Sequence, residues 1–418
     1  MKNARLMVAF GMGWALVRGV RSAEQSFSGN LSLSYTSICC QADSRCAQVS
    51  RKPFLGRLPG GRWLLAGLLF LGWGQWGAAP VFGQLPVPAP KGLIWEAPVE
   101  EGGRYGGAVE ALFAAYEARS GEGLGPGERG RAGLKVNTRG GRGLSTSREL
   151  LRAVIDALEA RGFAREDIWI VDYSANGLRR AGILPPLSTE AAEFAGCPVL
   201  ALDSGRHYDD EWFYDSPLPP ALREEPELLD EARGSRSLAE GSKERKSYLP
   251  MPLLFEVDFW INLAVAADDP ALGIDGVLAN ATLWNVSNSG RFLANQATAS
   301  AAVAEIAAIP ELSERMLLHL VSLERYQFIG GPSFNSLYTR SEPRLWLSGD
   351  PVAMDRLLFD KINAQRRLNG FPEIDPLPRQ LPFAASLGLG HFESERIRTE
   401  TVSPPDAPEN SGAAPETP

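Results

Sequence analysis

One stretch decides the fold that the sequence predicts: Phe259-Trp260-Ile261-Asn262-Leu263-Ala264-Val265, with prolines before it and Asp268-Asp269-Pro270 after it. A short apolar run between turn signals is typical of a buried strand in an α/β sheet. Asn262 interrupts this run, and Asn280 and Asn285 lie in the predicted loop that follows it. In open α/β sheets, ligands bind beyond the carboxyl ends of the strands. We therefore expect these three asparagines to line a cleft at that edge.

Strand and helix patterns alternate along the chain. Residues 134–137 predict a short strand, Thr146-Ser147-Arg148-Glu149 has the spacing of a helix capping box, and residues 168–171 predict the next strand. Such a unit has parallel strands and a right-handed crossover. Other apolar runs of strand or helix length lie at 199–202, 292–309, 316–323 and 352–368. The sequence thus predicts a single α/β domain at residues 93–396, with a mostly parallel central sheet and helices on both faces.

Residues 1–83 have the features of a leader and signal peptide. Basic residues between 51 and 62 precede an apolar run at 63–79, and small or modest side chains lie before Gln84. This pattern predicts cleavage and export to the periplasm or the cell exterior. The alternative is an uncleaved segment that tethers the protein to the membrane; either way, membrane contact is confined to this segment. Because the leader is long, we also predict that translation starts at Val49, which would give a signal peptide of ordinary length.

The flanking segments and the charge balance restrict the partners of the mature chain. Proline spacing predicts a linker at 84–92, and a tail rich in Pro, Glu and Ala predicts disorder at 397–418. Without residues 1–83, 33 of the 42 basic and 48 of the 50 acidic side chains remain, which is a net charge of −15. Because no basic stripe remains, we predict that the chain has no nucleic-acid partner. The partner that we consider instead is a small-molecule ligand.

Cysteine and histidine usage predicts neither a metal nor a cofactor. Cys197 is the one cysteine after the leader, so an internal disulfide or a cysteine-ligated cluster is excluded. Cys197 precedes Pro198 and an apolar run, which favours a structural thiol over a nucleophile. The histidines are scattered, and His319 lies in a predicted strand, where we expect a packed side chain. The Gly-x-Ser-x-Gly motif of many hydrolases is absent from the sequence.

Lys135, Asn137 and Arg139 form the first candidate ligand-binding group. They lie at the end of a predicted strand and in the loop that leads to a helix. Backbone amides at a helix start favour anions, and arginines add positive charge. This arrangement predicts a binding site for a phosphate or a carboxylate. The alternative is a solvated turn, in which the glycines of the loop serve the backbone geometry alone.

Acidic side chains that follow apolar runs form the second candidate group. Asp172, Asp203 and Asp350 occupy such positions, so parallel strands would bring them to one edge, where carboxylates can bind a hard cation. For Asp350 we favour the alternative of a helix N-cap, because Pro351 follows it. Asp355 lies within the predicted helix and is expected to face solvent or an arginine. We expect convergence at one mouth of the sheet for Lys135, Asn137, Asp172, Asn262 and Asp350.

Four short motifs occur in the same order as in a known bacterial family. They are Lys135-Val136-Asn137 at a strand end, Asp172-Tyr173-Ser174 after the next strand, Ile261-Asn262-Leu263, and Gly331-Pro332 followed by Asp350-Pro351-Val352-Ala353. In these motifs the chain resembles the family catalogued as domain of unknown function 362, over about residues 92–370. The resemblance implies an α/β fold and the location of a site. It implies no particular reaction.

The chain departs from the resembled family after the third motif. The family has a lysine-rich segment there, whereas this chain has Ala264-Val265-Ala266-Ala267-Asp268-Asp269, and it lacks the iron–sulfur cysteines of some members. Two functions stay open. One is an exported enzyme that acts on a small anionic substrate, with Lys135 and Asn137 as binding groups. The other is a non-catalytic ligand-binding protein, or a degenerate member of the family that has kept the cleft.

Overall fold

The structure is a computed structural model that describes residues 87–187, 189–216 and 246–403. The predicted leader at 1–83 and residues 404–418 of the predicted tail lie outside these ranges. None of the helices in these ranges is long and apolar enough to cross a membrane.

The described strands are β1 (Leu93–Pro98), β2 (Ala132–Val136), β3 (Ile168–Asp172), β4 (Glu193–Phe194), β5 (Cys197–Ala201), β6 (Tyr208–Asp215), β7 (Lys246–Pro250), β8 (Phe259–Ala264), β9 (Ala267–Asp269), β10 (Gly273–Asp275), β11 (Met316–Ser322), β12 (Tyr326–Gln327), β13 (Thr339–Arg340), β14 (Arg344–Ser348) and β15 (Arg398–Thr401). The described α-helices are α1 (Gly106–Ser120), α2 (Arg148–Glu159), α3 (Ala175–Ala181), α4 (Val277–Ala281), α5 (Gln296–Ala307), α6 (Pro310–Ser313), α7 (Pro351–Leu368) and α8 (Gln380–Ser386).

Strand β8 lies at the centre of a large sheet. Within the described ranges this sheet has nine strands, in the order β15-β1-β14-β11-β8-β2-β3-β5-β4. The strands β11, β8, β2, β3 and β5 run parallel to one another, whereas β14 and β4 run antiparallel to their neighbours. Every residue of β8 is buried. The predicted central strand and the mostly parallel sheet are therefore confirmed.

Helices cover both faces of this sheet. Ile261 and Leu263 of β8 belong to an apolar cluster with buried side chains of α1 and α2, among them Leu112 and Leu151. Trp260 belongs to a second cluster, with side chains of α4 and α5. Successive side chains of a strand point to opposite faces, so Asn262 lies on the same face as Trp260. The predicted helices on both faces are thus confirmed.

The sheet extends past the predicted domain boundary at residue 396. Strand β15 pairs in parallel with β1, so the first residues of the predicted disordered tail form an edge strand. This strand is polar and exposed along its length, and it therefore has no apolar pattern to predict it. Before β1, Tyr116 donates a hydrogen bond to the Val87 carbonyl, and Ala89 is buried. The described part of the predicted linker thus packs against the domain.

The N-cap of α7 is the residue that the sequence predicted, whereas the N-cap of α2 lies one residue later than the capping-box spacing predicted. Ser147, rather than Thr146, caps α2 by accepting an amide of the first turn. Thr146 Oγ1 instead donates to the Leu263 carbonyl at 2.8 Å, which ties the loop after β2 to the central strand. Asp350 caps α7 and accepts the Ala353 amide at 2.8 Å. The N-cap interpretation of Asp350 is therefore confirmed.

Candidate functional site

Three polar side chains form a row across the middle of the sheet. Lys135 of β2 pairs with Asn262 of β8, and Asn262 pairs with His319 of β11. All three side chains are fully buried. Paired residues on neighbouring strands point to the same face, which here is the face that α4 covers. We call Lys135, Asn262 and His319 the polar row.

Asn280 of α4 connects the polar row. Its Oδ1 accepts a hydrogen bond from Lys135 Nζ at 2.9 Å, and its Nδ2 donates to Asn262 Oδ1 at 2.7 Å. Asn262 Nδ2 in turn donates to the Val277 carbonyl at 2.9 Å and lies 3.2 Å from His319 Nδ1. Burying an amide without partners is unfavourable. The partners that α4 supplies therefore explain how a polar residue is accommodated in the most buried strand.

His319 lies at the other end of the polar row. Because Asn262 Nδ2 donates, His319 Nδ1 accepts, and the proton of the neutral ring lies on Nε2. Burial lowers the pKa of His319 to about 3, so the ring is neutral at physiological pH. The prediction of a packed histidine is confirmed, but its contact with Asn262 was missed. The signal for that contact is that β2, β8 and β11 each carry a polar residue within an apolar run.

Lys135 forms a buried ion pair with Asp172. Lys135 Nζ lies 2.7 Å from Asp172 Oδ1, and the two side chains are 0% and 6% exposed. The ammonium also donates to Asn280 and to the Val136 carbonyl, so all three of its donors are used. The amide and the hydroxyl of Thr138 donate to the second carboxylate oxygen. Burial lowers the pKa of Lys135, and the negative charge of Asp172 opposes this effect.

Arg139 is held by two carboxylates and an indole ring. Its Nη1 lies 2.9 Å from Asp269 Oδ2 and 2.7 Å from Asp275 Oδ2. Its guanidinium carbon lies 3.9 Å from the ring centroid of Trp284, whose Nε1 donates to Asp275. Burial raises the pKa of Asp275, and the charge of Arg139 opposes this rise. The positive charge that the sequence suggested for an anionic ligand is thus balanced by carboxylates of the chain.

The predicted asparagines pack between α4 and the sheet or shape the turn after β2. Asn137 Oδ1 accepts the Arg139 amide at 3.1 Å in that turn. Asn285 Nδ2 donates to two carbonyls of α4. Asn262, Asn280 and Asn285 are each 0% exposed, and Asn280 lies on α4. The expectation that these three line a cleft, with Asn280 in a loop, is therefore corrected, because α4 contains Asn280 and covers this part of the sheet.

Asp350 does not join the other predicted site residues. Strand β14 runs antiparallel to β11, so the chain leaves β14 towards the amino ends of the parallel strands. There the Asp350 carboxylate accepts the backbone amides of Gly92, Ala353 and His391. The structure brings Lys135, Asp172 and Asn262 together through Asn280 and places Asn137 in the adjacent turn. The expected convergence is wrong for Asp350, which lies at the opposite edge.

The second candidate group, a set of carboxylates for a cation, is not formed. Asp172 is paired with Lys135, and Asp203 accepts a backbone amide at the start of α3. In the part of the chain that the structure describes, no group of three or more His, Cys, Asp or Glu could hold a metal ion. Cys197 is buried, which raises the pKa of its thiol to about 12 and favours a structural role.

Asp355 was expected to face solvent or an arginine, and this expectation is wrong. The side chain is fully buried, and its carboxylate accepts the amides of Val277 at 2.6 Å and Leu278 at 3.0 Å. Helix α7 thus holds the amino end of α4, the helix that carries Asn280. The signal in the sequence is helical spacing, because Asp355 shares the apolar face of α7 with Leu358 and Ile362.

Comparisons with known proteins do not assign the chain to a family. No protein-family model matches the chain, and no curated protein is a significant match. What the site can do chemically is therefore inferred from its geometry. The three donors of the Lys135 ammonium are used, and the Arg139 guanidinium is bound by two carboxylates. This arrangement stabilises the packing of α4 on the sheet. An incoming anion would have to displace Asp172 to reach Lys135, and near Arg139 it would meet the negative charges of Asp269 and Asp275.

Proposed function

We propose that the chain is an exported, non-catalytic ligand-binding protein, a degenerate member of the family that it resembles. The proposal places the ligand at the carboxyl edge of the parallel strands and assigns no reaction to that edge. One observation carries it. The two cations suited to contact an anionic substrate, Lys135 and Arg139, are bound by carboxylates of the chain itself.

The ion pair of Lys135 favours a structural role over a catalytic one. A catalytic lysine needs a donor or a lone pair that a substrate can reach. Lys135 is fully buried, and its donors are engaged. Pulling it away would leave Asp172 as an uncompensated buried charge, and breaking such a pair costs about 3–5 kcal/mol. A substrate would have to supply that free energy before any reaction.

The departure from the resembled family supports the same proposal. Where the family has lysines, this chain has residues 264–269, which include the last residue of β8 and the whole of β9. That segment contributes Asp269, one of the two carboxylates that bind Arg139. The site thus has an added negative charge where the family has positive ones. Arg139 is flanked by Asp269 and Asp275, and this local charge favours a neutral or cationic polar ligand over an anion. The side chain of Arg139 is 24% exposed, so a ligand can contact it.

An enzyme that acts on a small anionic substrate is the second candidate. The observation that favours it is the pKa of Lys135, which burial lowers. A lysine with a lowered pKa gives up its own proton more readily and can then accept one from a substrate. For this role α4 would have to move, because Asn280 and the sheet enclose the ammonium.

A ligand screen separates the two candidates. The protein is heated with a panel of small neutral, cationic and anionic molecules, because a bound ligand raises the Tm by mass action. Compounds that raise the Tm are then incubated with the protein and analysed by mass spectrometry. Our proposal predicts hits among neutral or cationic compounds that are recovered unchanged. Conversion of an anionic compound by the wild type, lost in Lys135→Arg, would establish the enzyme instead.

Two arginines of the same loop provide a matched control for the site. Arg139 is bound by Asp269 and Asp275, whereas Arg142 is exposed. We expect Arg139→Met to reduce the Tm shift that a hit produces, relative to each variant without ligand. Arg142→Met should leave that shift unchanged. Equal shifts in both variants would place the ligand elsewhere on the protein.

Export is the part of the proposal that rests on residues 1–83 alone. Cell fractionation and N-terminal sequencing test it directly. We expect the protein outside the cytoplasm, with a mature N-terminus near Gln84. Uncleaved protein in the membrane fraction would support the tethered alternative, and full-length protein in the cytoplasm would contradict export.

A further inference from the structure

Strand β15 forms one edge of the nine-stranded sheet. On one side it pairs in parallel with β1, and no strand of the described ranges pairs with its other side. All four of its residues are exposed, so the described part of the chain leaves this edge accessible. An open edge presents a row of backbone N–H and C=O groups that can pair with a strand of another chain.

The hydrogen bonds to β1 determine which backbone groups of β15 remain available. The amides of Arg398 and Val402 donate to backbone carbonyls of residues 92–96. In a parallel pair, the N–H and C=O groups of alternate residues point to the same neighbouring strand. The even-numbered residues from 398 to 402 therefore bond β1, whereas Thr399 and Thr401 direct their backbone groups outwards, away from the sheet.

The side chains of β15 place opposite charges on one face of the sheet. Arg398 pairs with Leu93, and Glu400 pairs with Trp95. Leu93 and Trp95 belong to the apolar cluster that contains buried side chains of α1. Paired residues of neighbouring strands point to the same face, so Arg398 and Glu400 both lie on the α1 side. Each is exposed at the edge, where a side chain of an added strand can reach it.

The order of these charges distinguishes the ways in which two copies of β15 can pair. A twofold axis between two copies makes their edge strands antiparallel. If Thr399 faces Thr399 of the second copy, these residues exchange both backbone hydrogen bonds, and Arg398 lies opposite Glu400 on each side of the axis. If Glu400 faces its own copy, like charges meet. If Thr401 does, Glu400 lies opposite Val402. Opposite charges across a strand pair are stabilising and like charges are destabilising, which favours the first register.

We propose that β15 is a dimerisation edge, where a second copy of this chain adds its own β15 in antiparallel orientation. Thr399 faces Thr399 at the twofold axis, and two Arg398–Glu400 ion pairs connect the copies. The sheet then continues from one copy into the other. This edge lies apart from the site described above, because β1, β14, β11 and β8 separate β15 from β2.

The contact between two copies of β15 is small and polar. Four residues of each strand take part, and none of them is apolar. Such a contact buries less surface than most stable complexes, so we expect a reversible dimer that forms as the protein concentration rises. Because the ion pairs are exposed, salt screens them, and added salt should weaken the dimer.

A charge swap, followed by sedimentation velocity of the full chain over a range of concentrations, tests the proposal. Arg398→Glu and Glu400→Arg each place like charges opposite one another, and each should raise the dimer dissociation constant by about tenfold or more. The double variant Arg398→Glu/Glu400→Arg restores two opposite-charge pairs and should dimerise like the wild type. Glu128→Arg makes the same charge change at an exposed position outside β15 and should leave dimerisation unchanged.

These variants alter exposed side chains, so each is expected to fold, and its urea unfolding curve checks this. The proposal is overturned if the wild type stays monomeric at every concentration. It is also overturned if the single variants dimerise like the wild type, because the copies would then meet at another surface. Failure of the double variant to recover the dimer would contradict the pairing of Arg398 with Glu400.

A cysteine at the edge tests the register independently. Residues that exchange both hydrogen bonds in an antiparallel pair have Cα atoms about 5.5 Å apart, which is within the range of disulfides. Thr399→Cys should therefore form a disulfide between copies under oxidising conditions. In Thr401→Cys the two sulfurs lie four residues out of register, about 13 Å apart, and should not join. The wild type, with the same native cysteines, gives the background, and equal cross-linking of the two variants would refute the register.

Discussion

Lys135 Nζ and Asp172 Oδ1 lie 2.7 Å apart. Asn280 and the Val136 carbonyl accept the other two hydrogen bonds of the ammonium, and Thr138 donates to the carboxylate. Neither partner can be removed alone without leaving the other charged and shielded from water. Through Asn280 the pair is also connected to Asn262 in the central strand. The ion pair at the edge of the sheet and the polar residue at its centre therefore form one hydrogen-bonded unit.

Asn262→Leu keeps the approximate size of the side chain and removes its amide. Asn280 Nδ2, His319 Nδ1 and the Val277 carbonyl each lose a partner. An unsatisfied buried group costs about 1–3 kcal/mol, so we expect the free energy of unfolding in urea to fall by about 2–4 kcal/mol. Asn176→Leu, at an exposed position of α3, should change it by less than about 0.5 kcal/mol. Equal effects of the two substitutions would show that the polar row is not required for stability.

His319→Asn should reduce the loss of stability in acid. The pKa of His319 is lowered from 6.5 to about 3 in the fold, so the unfolded chain binds a proton that the folded one does not. Stability from this group is present above pH 6.5 and is lost as the pH falls towards 3, by up to about 1.4 kcal/mol per unit. The variant keeps an acceptor near Nδ1 and lacks this proton. Urea unfolding at several pH values measures the difference, and parallel curves for the two proteins would refute it.

Arg139→Met removes the cation between Asp269 and Asp275. Asp275 is buried, so we expect a loss of about 3 kcal/mol in the free energy of unfolding, with a change in the fluorescence of Trp284. Because Asp275 would lose the group that lowers its pKa, the loss should be greater at pH 8 than at pH 5. Arg142→Met, in the same loop, should have an effect below about 0.5 kcal/mol. If the two variants unfold alike at both pH values, the arginine is not part of the structural unit.

The fold could be predicted from local patterns because its central strands are short apolar runs between turn signals. The run at 259–265 is β8, and Lys135 and Asp172 lie at the carboxyl ends of parallel neighbours, as the strand–helix–strand pattern indicated. Parallel strands place their carboxyl ends at one edge whatever the rest of the chain does. The contact between these two residues therefore follows from the pattern once the strands are known.

The remaining features depend on pairings between distant parts of the chain. Asp350 was misplaced because β14 pairs antiparallel with β11, a direction that no local pattern determines. Asn280 was assigned to a loop because α4 is a helix of five residues, too short for an amphipathic period, and its position depends on Asp355 of α7. The neutralisation of Arg139 could not be predicted either, because Asp269 and Asp275 reach it only after the β9–β10 hairpin has formed.

The most direct test of the structural role of the site is a double-mutant cycle on Lys135 and Asp172. The free energy of unfolding is measured in urea for the wild type, Lys135→Met, Asp172→Asn and the double variant. Our account predicts that each single substitution costs about 3–5 kcal/mol and that the double variant loses at least about 2 kcal/mol less than the sum. Losses that add to within about 0.5 kcal/mol would contradict it, because the two residues would then act independently.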